Sequence, residues 1–382
     1  MRSFLDWWRR RSTSYEKQAD AEAAFWGDFT ARWIATGIVP PWADVRLAVG
    51  QAIGLGHRDR VLGGELENLS RKLRFLRDAL HRVSSCSHQR LTNVLDLGCG
   101  AGFLSLEMGR QGAQVLGVDL SMGQIAVARY FSKNGMQWPS ALYPTYQGIG
   151  FRGEDFKPPV YEIADLNREQ PDGAFDIVFA HDAIHHLSDP EGLLKRLDPL
   201  IQPGGWIFLI DHQETSEREQ SWNAFRSAVS QRCAQWMSGA LCSDIPRVEP
   251  YDRKISFPET LGLDIMHGLG DWLGGEGFPV ASISKATADS APPPWPSEES
   301  SFEGVSSRDL GQRICRVLNS LGYEDVVLQT AFEPWREDLV RLRPEGMDWQ
   351  TFYGIRAQAE DRALADAPNS GDFFYLRAQK AI

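Results

Sequence analysis

Residues 93–119 read NVLDLGCGAGFLSLEMGRQGAQVLGVD, and this stretch decides the fold. It opens with a short apolar run, Val94 to Leu97, which is typical of a buried strand. A turn follows that contains Gly98, Gly100 and Gly102. Because glycine has no Cβ, a ligand can approach the backbone of such a turn closely. The helix predicted after the turn offers the unpaired N–H groups of its first residues to the same ligand.

The spacing of these glycines differs from that of a dinucleotide-binding fingerprint. A G-x-G-x-x-G pattern that began at Gly98 would need glycine at position 103, where the chain has Phe103. The third glycine comes one residue earlier, at Gly102. Asp96 lies on the strand side of the turn, where its carboxylate can meet a cationic amino group. The turn therefore predicts a ligand site that is related to the dinucleotide sites but different from them.

Short apolar runs alternate with helical stretches on both sides of this turn, which predicts a parallel α/β sheet. The predicted strands are Asn93–Leu97, Gln114–Asp119, Val160–Ala164, Phe175–Ala180, Trp206–Asp211, Asp325–Phe332 and Phe373–Ala378. The predicted helices among them are Gly102–Gln111, Met122–Asn134, Glu191–Ile201, Glu217–Ser238 and Asp309–Leu321.

The rest of the chain has a different character. Helical periodicity over residues 14–37 and about Gly64 to Val83 predicts a helical extension at the N-terminus. Loops rich in glycine and proline are predicted at Gly268–Pro279 and Ala291–Ser306, which is typical of an insertion. The predicted division is a helical extension at 1–88, a ligand-binding core at 89–212, an inserted cap at 213–308 and a segment that completes the sheet at 309–382.

The sequence VLDLGCGAG at 94–102 resembles the first motif of the class I S-adenosylmethionine-dependent methyltransferases. Four further stretches are similar to motifs of that family in the same order: GVD at 117–119, IADL at 163–166, FDIV at 175–178 and LIQPGG at 200–205. The resemblance covers about 91–212, with a weaker match at 309–380. It implies an α/β, Rossmann-like seven-stranded mixed sheet with helices on both faces, and S-adenosylmethionine as cofactor.

The resemblance also implies which residues hold the cofactor. Asp119 would accept hydrogen bonds from both ribose hydroxyls, which suits a carboxylate. Asp165 would meet the adenine amino group, and His181 would lie beside the cofactor through its backbone, whereas Asp176 is expected to brace a loop. The full set of expected cofactor-binding residues is Asp96, Gly98, Cys99, Gly100, Gly102, Asp119, Leu120, Ala164, Asp165, Leu166 and His181.

Two histidines stand where a methyl acceptor would bind. His185 follows the fourth predicted strand and His212 follows the fifth, and ligands bind at the carboxyl ends of strands in such sheets. Imidazole is the usual base near neutral pH, so both are candidate catalytic residues, with packing of the loop as the alternative role. Asp182, His186 and Asp211 would complete a set of metal ligands. The acid-acid-amide arrangement of metal-dependent catechol methyltransferases is not evident, so no metal is expected.

Aromatic residues are frequent in the predicted cap. We expect the cap and the N-terminal helices to close the acceptor pocket, although a small separate core is the alternative reading. The residues concerned are Trp222, Trp236, His267, Trp272 and Trp295.

The composition indicates which class of partner and which cellular compartment to expect. The chain has 382 residues, 42% of them hydrophobic, and a formal net charge of -11. An acidic chain binds phosphate backbones poorly, so a nucleic-acid partner is not expected. The start MRSFLDWWRRRS lacks an apolar core of a signal sequence, and no run approaches the ~18 apolar residues of a membrane span. Five cysteines without a C-x-x-C pair suggest reduced thiols, and we expect a cytoplasmic location.

These observations predict methyl transfer from S-adenosylmethionine to a small-molecule acceptor, with O-methylation of a sugar or secondary metabolite as the leading interpretation. The alternatives are an N- or C-methyltransferase, an RNA methyltransferase and a non-catalytic cofactor-binding subunit. The sequence gives no indication of the oligomeric state.

Overall fold

The chain is described here by a computed structural model. It describes residues 2–40, 42–55, 92–110, 112–134, 156–215, 218–241, 259–278, 282–287, 289–290, 308–332 and 337–382. The helix predicted at about Gly64 to Val83, the loop predicted at Ala291–Ser306, and Trp295 lie outside these residues.

Seven strands form one mixed sheet in the order β3-β2-β1-β4-β5-β7-β6. The strands are β1 (Asn93–Leu97), β2 (Gln114–Asp119), β3 (Val160–Ile163), β4 (Phe175–His181), β5 (Ile201–His212), β6 (Tyr323–Ala331) and β7 (Phe373–Lys380). Strands β1 to β5 pair in parallel, and β7 pairs antiparallel with both β5 and β6. The predicted seven-stranded mixed sheet is therefore confirmed.

Ten α-helices lie among the described residues. They are α1 (Arg2–Ala35), α2 (Val45–Gly54), α3 (Phe103–Arg110), α4 (Met122–Asn134), α5 (Pro190–Leu197), α6 (Arg218–Met237), α7 (Glu259–Gly275), α8 (Leu310–Ser320), α9 (Glu337–Val340) and α10 (Trp349–Asp366). Within the part of the chain that the structure describes, no helix combines the length and the apolar character that a membrane crossing requires.

Helices cover both faces of the sheet because side chains alternate along each strand. Leu95 of β1 belongs to a core that includes the apolar residues of α5 and α8. Its neighbour Asp96 points the other way and bonds to Ser105 of α3. A second core joins α3 and α4 to α1, α2 and α7. The sheet is thus enclosed by helices on both faces.

A buried ion cluster fixes the N-terminal extension to the sheet. Arg110 of α3 places Nη2 2.7 Å from Oδ2 of Asp44 and Nη1 2.6 Å from Oε1 of Glu107. All three side chains are buried. Because a buried charge is costly without a partner, Arg110 holds the segment before α2 against α3.

The prediction of a loop at Gly268–Pro279 is wrong, since residues 268–275 belong to helix α7. Glycine costs about 1 kcal/mol relative to alanine in a helix, so the sequence argued against this helix. Packing offsets that cost: a Cβ at Gly268 would lie 2.7 Å from Oη of Tyr130, and one at Gly270 would lie 2.5 Å from Cδ1 of Ile283. The glycines allow α7 to lie close against its neighbours.

The structure differs from the predictions at two other elements, β5 and α10. Strand β5 begins at Ile201, not at Trp206, because Ile201 pairs with Phe175 before an irregularity over residues 202–205. Helix α10 was not predicted, although Asp348 caps it by accepting a hydrogen bond from the backbone N–H of Thr351 at 2.9 Å. A capping aspartate of this kind is a helix-start signal that the sequence contained.

Candidate functional site

The candidate site lies at the carboxyl ends of β1, β2 and β4. Strand β1 stands between β2 and β4 in the sheet, so the chain leaves β1 in one direction and returns to β4 on the other side. Such a point opens a crevice at the carboxyl edge, where ligands bind in open α/β sheets. The glycine turn of residues 98–102 lies in this crevice.

The three glycines of the turn all have positive φ, at 60°, 53° and 85° for Gly98, Gly100 and Gly102. Their surroundings differ. A Cβ at Gly98 would lie 2.4 Å from Cβ of Ala183, and one at Gly102 would lie 2.5 Å from Oη of Tyr161. A Cβ at Gly100 would find nothing closer than Oε1 of Gln124 at 3.9 Å. Gly98 and Gly102 therefore serve packing within the protein, whereas Gly100 faces open space.

Asp119 lies directly beside Gly100. Its Oδ2 accepts a hydrogen bond from the N–H of Gly100 at 2.9 Å, and its Oδ1 accepts one from the N–H of Ser121 at 2.8 Å. Burial raises the pKa of Asp119 above its usual value, these two hydrogen bonds lower it, and His186 lowers it while Glu22 raises it. A half-buried carboxylate next to an open stretch of backbone can bind vicinal hydroxyls.

Asp96 and Cys99 lie deeper than expected for direct contact with a ligand. The carboxylate of Asp96 accepts a hydrogen bond from Oγ of Ser105 at 2.5 Å and is 2% exposed. Burial raises its pKa to about 7, and the bonds to Ser105 oppose this shift. Cys99 is buried against Tyr161, and burial raises the pKa of its thiol. Whether Asp96 meets a cationic amino group stays a prediction.

The loop after β3 reaches the same edge of the sheet. The N–H of Ala164 donates to the carbonyl of Asp119 at 3.0 Å, so this loop lies against the end of β2. Asp165 accepts a hydrogen bond from the N–H of Asn167 at 3.1 Å, and Leu166 is buried in the central core. Leu120 follows Asp119 directly. The structure therefore brings the expected adenine loop beside the expected ribose acid.

Strand β4 ends in a strained turn that carries two of the site residues. Asp182 has a φ of 48°, in the left-handed region that non-glycine residues rarely occupy. Its Oδ2 lies 3.2 Å from Nε2 of His181, and its Oδ1 lies 3.6 Å from Nε2 of His212. His181 also packs edge-on against Phe103 at the start of α3, with ring centroids 5.7 Å apart. Strain of this kind clusters at functional sites.

His185 pairs with a buried carboxylate. Its Nδ1 contacts Oδ1 of Asp211, and both side chains are buried. Oδ2 of Asp211 also accepts from the N–H groups of Ala183, Ile184 and His185, at 3.3, 2.6 and 3.2 Å. Burial raises the pKa of Asp211, but the charge and hydrogen bond of His185, together with the charge of His212, make the net shift downward. Asp211 is thus an anion that fixes the whole loop after β4.

His212 is the more accessible of the two candidate bases. Its side chain is 37% exposed, against 7% for that of His185. Its ring packs against Phe373 of β7, with centroids 3.9 Å apart, and lies 5.3 Å from the ring of His185. The structure therefore brings both predicted catalytic residues to one place, each beside a different aspartate.

Comparison with known proteins identifies the kind of domain. Residues 67–242 match the family described as a methyltransferase domain. The part of the chain that forms strands β1 to β5 is therefore similar to a methyltransferase domain.

The chain is also similar to curated ubiquinone biosynthesis O-methyltransferases. The protein of Chromobacterium violaceum is 35% identical over 115 residues, which are 30% of this chain and 42% of that relative. The protein of Xanthomonas euvesicatoria pv. vesicatoria is 37% identical over 117 residues, 30% of this chain and 41% of that relative. The chain thus spans less than half the length of these relatives.

Among solved structures, Haemonchus contortus phosphoethanolamine N-methyltransferase 2, in complex with S-adenosyl-L-methionine, aligns at 13% identity and a TM-score of 0.37. The alignment covers 80% of this chain and 53% of that one. A TM-score this low does not establish a common fold.

Helix α1 also supplies contacts at the site, and these contacts were not predicted from the sequence. Oε1 of Glu22 lies 3.2 Å from Nδ1 of His186 and accepts a hydrogen bond from Nε1 of Trp26 at 2.9 Å. No local sequence signal joins Glu22 to His186, since the pairing depends on how α1 lies across the sheet.

The helices of the predicted cap lie in two different cores. Trp222 of α6 packs with α10 and the residues around Phe332, together with the half-buried Trp236. Trp272 of α7 packs beside Tyr130 and donates to the carbonyl of Ala126 at 3.0 Å. His267 is exposed. These positions favour packing roles for the tryptophans, and the division of the chain into domains stays a prediction.

Proposed function

We propose that this chain transfers a methyl group from S-adenosylmethionine to a hydroxyl oxygen of a small molecule. The observation that carries the proposal is the pair formed by Gly100 and Asp119 in the methyltransferase domain. An open stretch of backbone stands beside a half-buried carboxylate at the carboxyl end of β1 and β2.

The residues present fit this cofactor. Gly100 leaves room for the ligand to contact the backbone, and Asp119 supplies acceptors for the ribose hydroxyls. Ala164, Asp165 and Leu166 would line the adenine, beside the end of β2. When bound, S-adenosylmethionine supplies a methyl group that its sulfonium already activates. The chain then has to orient the acceptor, exclude water and remove the hydroxyl proton.

A histidine base supports an oxygen acceptor. Because the anion of Asp211 accepts from Nδ1 of His185, the neutral ring keeps its proton on Nδ1 and leaves Nε2 as the basic atom. His212 has the greater exposure and lies near Asp182. We propose that one of the two removes the proton, and that the other orients the loop.

The acceptor class follows from the relatives and the charge. The curated relatives are named O-methyltransferases of ubiquinone biosynthesis, and their matches cover 30% of this chain. From these names we take oxygen as the proposed acceptor atom, but we do not take the substrate. The acidic balance of the chain disfavours polyanionic substrates, so a neutral sugar or phenolic secondary metabolite is the substrate class proposed.

The test follows S-adenosylhomocysteine formation with a panel of phenols, catechols and sugars. We expect the rate with an accepted alcohol or phenol to fall at acidic pH with one titrating group. Either His185→Ala or His212→Ala, but not both, should lower turnover by about tenfold or more and remove the acidic limb. His267→Ala, which changes an exposed histidine on α7, is the matched control. Full activity in both variants, with the limb intact, would exclude both histidines as the base.

A further inference from the structure

Helix α1 contacts two walls of the crevice through consecutive residues. Glu22 reaches His186, which follows β4, at 3.2 Å. The carbonyl of Ala23 accepts a hydrogen bond from Oγ of Ser121, which follows β2, at 3.2 Å. Since β1 lies between β2 and β4, the helix must pass across the carboxyl end of β1. The glycine turn of residues 98–102 follows directly after this end of β1.

The contact on the β2 side leads directly to the ribose acid. The N–H of Ser121 donates to Oδ1 of Asp119 at 2.8 Å, while the hydroxyl of the same serine donates to α1. The helices also approach closely here, because a Cβ added at Gly123 would lie 3.1 Å from Cα of Gly27. A short chain of bonds thus joins Asp119 to the backbone of α1.

The contact on the β4 side is buried and has several partners. Glu22 is 7% exposed. Its Oε1 accepts from Trp26, whose ring also meets the ring of His186 edge-on at 5.8 Å. The ring of His186 in turn lies 3.9 Å from that of His185. The carboxylate of Glu22 therefore holds the loop that carries one of the candidate bases.

We propose that Glu22 is a positioning residue of the cofactor site: by binding His186 it holds α1 across the crevice, so that release of the cofactor requires this contact to break. The inference builds on the proposed function, because it takes the crevice to be the cofactor site. It adds a residue far from every cofactor motif and assigns to the N-terminal helix the control of cofactor exit.

The test measures the dissociation rate of S-adenosylhomocysteine by stopped-flow fluorescence of the intrinsic tryptophans. Glu22→Ala should raise the dissociation rate about tenfold or more and leave the association rate close to that of the wild type, since a hydrogen bond to a charged group is lost only in the closed state. Glu22→Gln, which keeps an oxygen acceptor, should restore part of the slow dissociation. Asp28→Asn removes an exposed acid from the same helix and should change neither rate.

Hydrogen–deuterium exchange of the full chain provides an independent readout. S-adenosylhomocysteine should slow amide exchange over residues 19–35 in the wild type and much less in Glu22→Ala. A folded Glu22→Ala protein with wild-type dissociation and full protection of α1 would overturn the inference and leave the proposed function standing. If Glu22→Ala does not fold, the same two measurements are made on Glu22→Gln. Wild-type dissociation and full protection of α1 in that variant would then overturn the inference. A wild-type chain that fails to bind S-adenosylhomocysteine would overturn the proposed function and this inference together.

Discussion

Replacing single glycines of the turn by alanine should separate a ligand-facing position from a packing position. Gly100 and Gly98 both have positive φ, so alanine at either position costs about 1–2 kcal/mol of backbone strain. The new methyl group at Gly100 meets open space. We therefore expect Gly100→Ala to fold with a loss of about 1–2 kcal/mol in the free energy of unfolding and to lose cofactor affinity.

At Gly98 the methyl group would lie 2.4 Å from Cβ of Ala183, well inside contact distance. Overpacking of this kind typically costs a further ~1–3 kcal/mol, so Gly98→Ala should lose about 2–5 kcal/mol in all. The two substitutions are chemically identical and two residues apart, which makes each the control for the other.

Urea unfolding measures the stability of both variants, and isothermal titration with S-adenosylhomocysteine measures their affinity. Gly100→Ala should bind at least about tenfold more weakly than the wild type, a loss of about 1.4 kcal/mol or more. A folded Gly100→Ala protein with wild-type affinity would show that the ligand does not approach this turn. Equal stability of the two variants would show that Gly98 does not serve packing.

Three further changes test the electrostatics of the site and its support. Asp119→Asn should weaken binding of S-adenosylhomocysteine by about 1–3 kcal/mol in titration calorimetry, since an amide replaces a charged acceptor, and unchanged affinity would remove Asp119 from the ribose site. Burial raises the pKa of Asp96 from 3.8 to about 7, so its contribution to stability is complete below about pH 4 and is lost as the pH rises to about 7. Urea unfolding of the wild type should therefore lose about 2–3 kcal/mol more than Asp96→Asn between about pH 5 and about pH 8, and parallel profiles would contradict this. Arg110→Met should cost about 3–5 kcal/mol in the same assay, because it leaves the buried carboxylates of Asp44 and Glu107 without their cation, and a loss below about 1 kcal/mol would show that they are neutral.

Local patterns predicted the central part of the sheet well. The bounds of β1, β2 and α4 match the predicted ones, because apolar runs, turn glycines and helical spacing all agree there. Helix α7 could not be predicted in the same way. Its glycines lower helix propensity, and the close contacts with Tyr130 and Ile283 that favour it depend on the folded structure.

The site was predictable to the extent that it follows strand ends. His185 and His212 come together because β4 and β5 are neighbours. The pairing of Asp211 with His185 was missed, since it depends on the path of the loop after β4. The contact between Glu22 and His186 joins distant parts of the sequence that only packing of α1 brings together.

The most direct test of methyl transfer uses S-adenosylmethionine that carries a trideuteromethyl group. The wild-type chain is incubated with it and with a panel of phenols, catechols and sugars, and mass spectrometry follows both the acceptors and the cofactor product. We expect one acceptor class to gain a trideuteromethyl group on oxygen, in amounts equal to the S-adenosylhomocysteine formed, and Gly100→Ala to form neither product at the same cofactor concentration. A wild-type protein that binds S-adenosylhomocysteine but labels nitrogen or carbon, and no oxygen, would contradict the account.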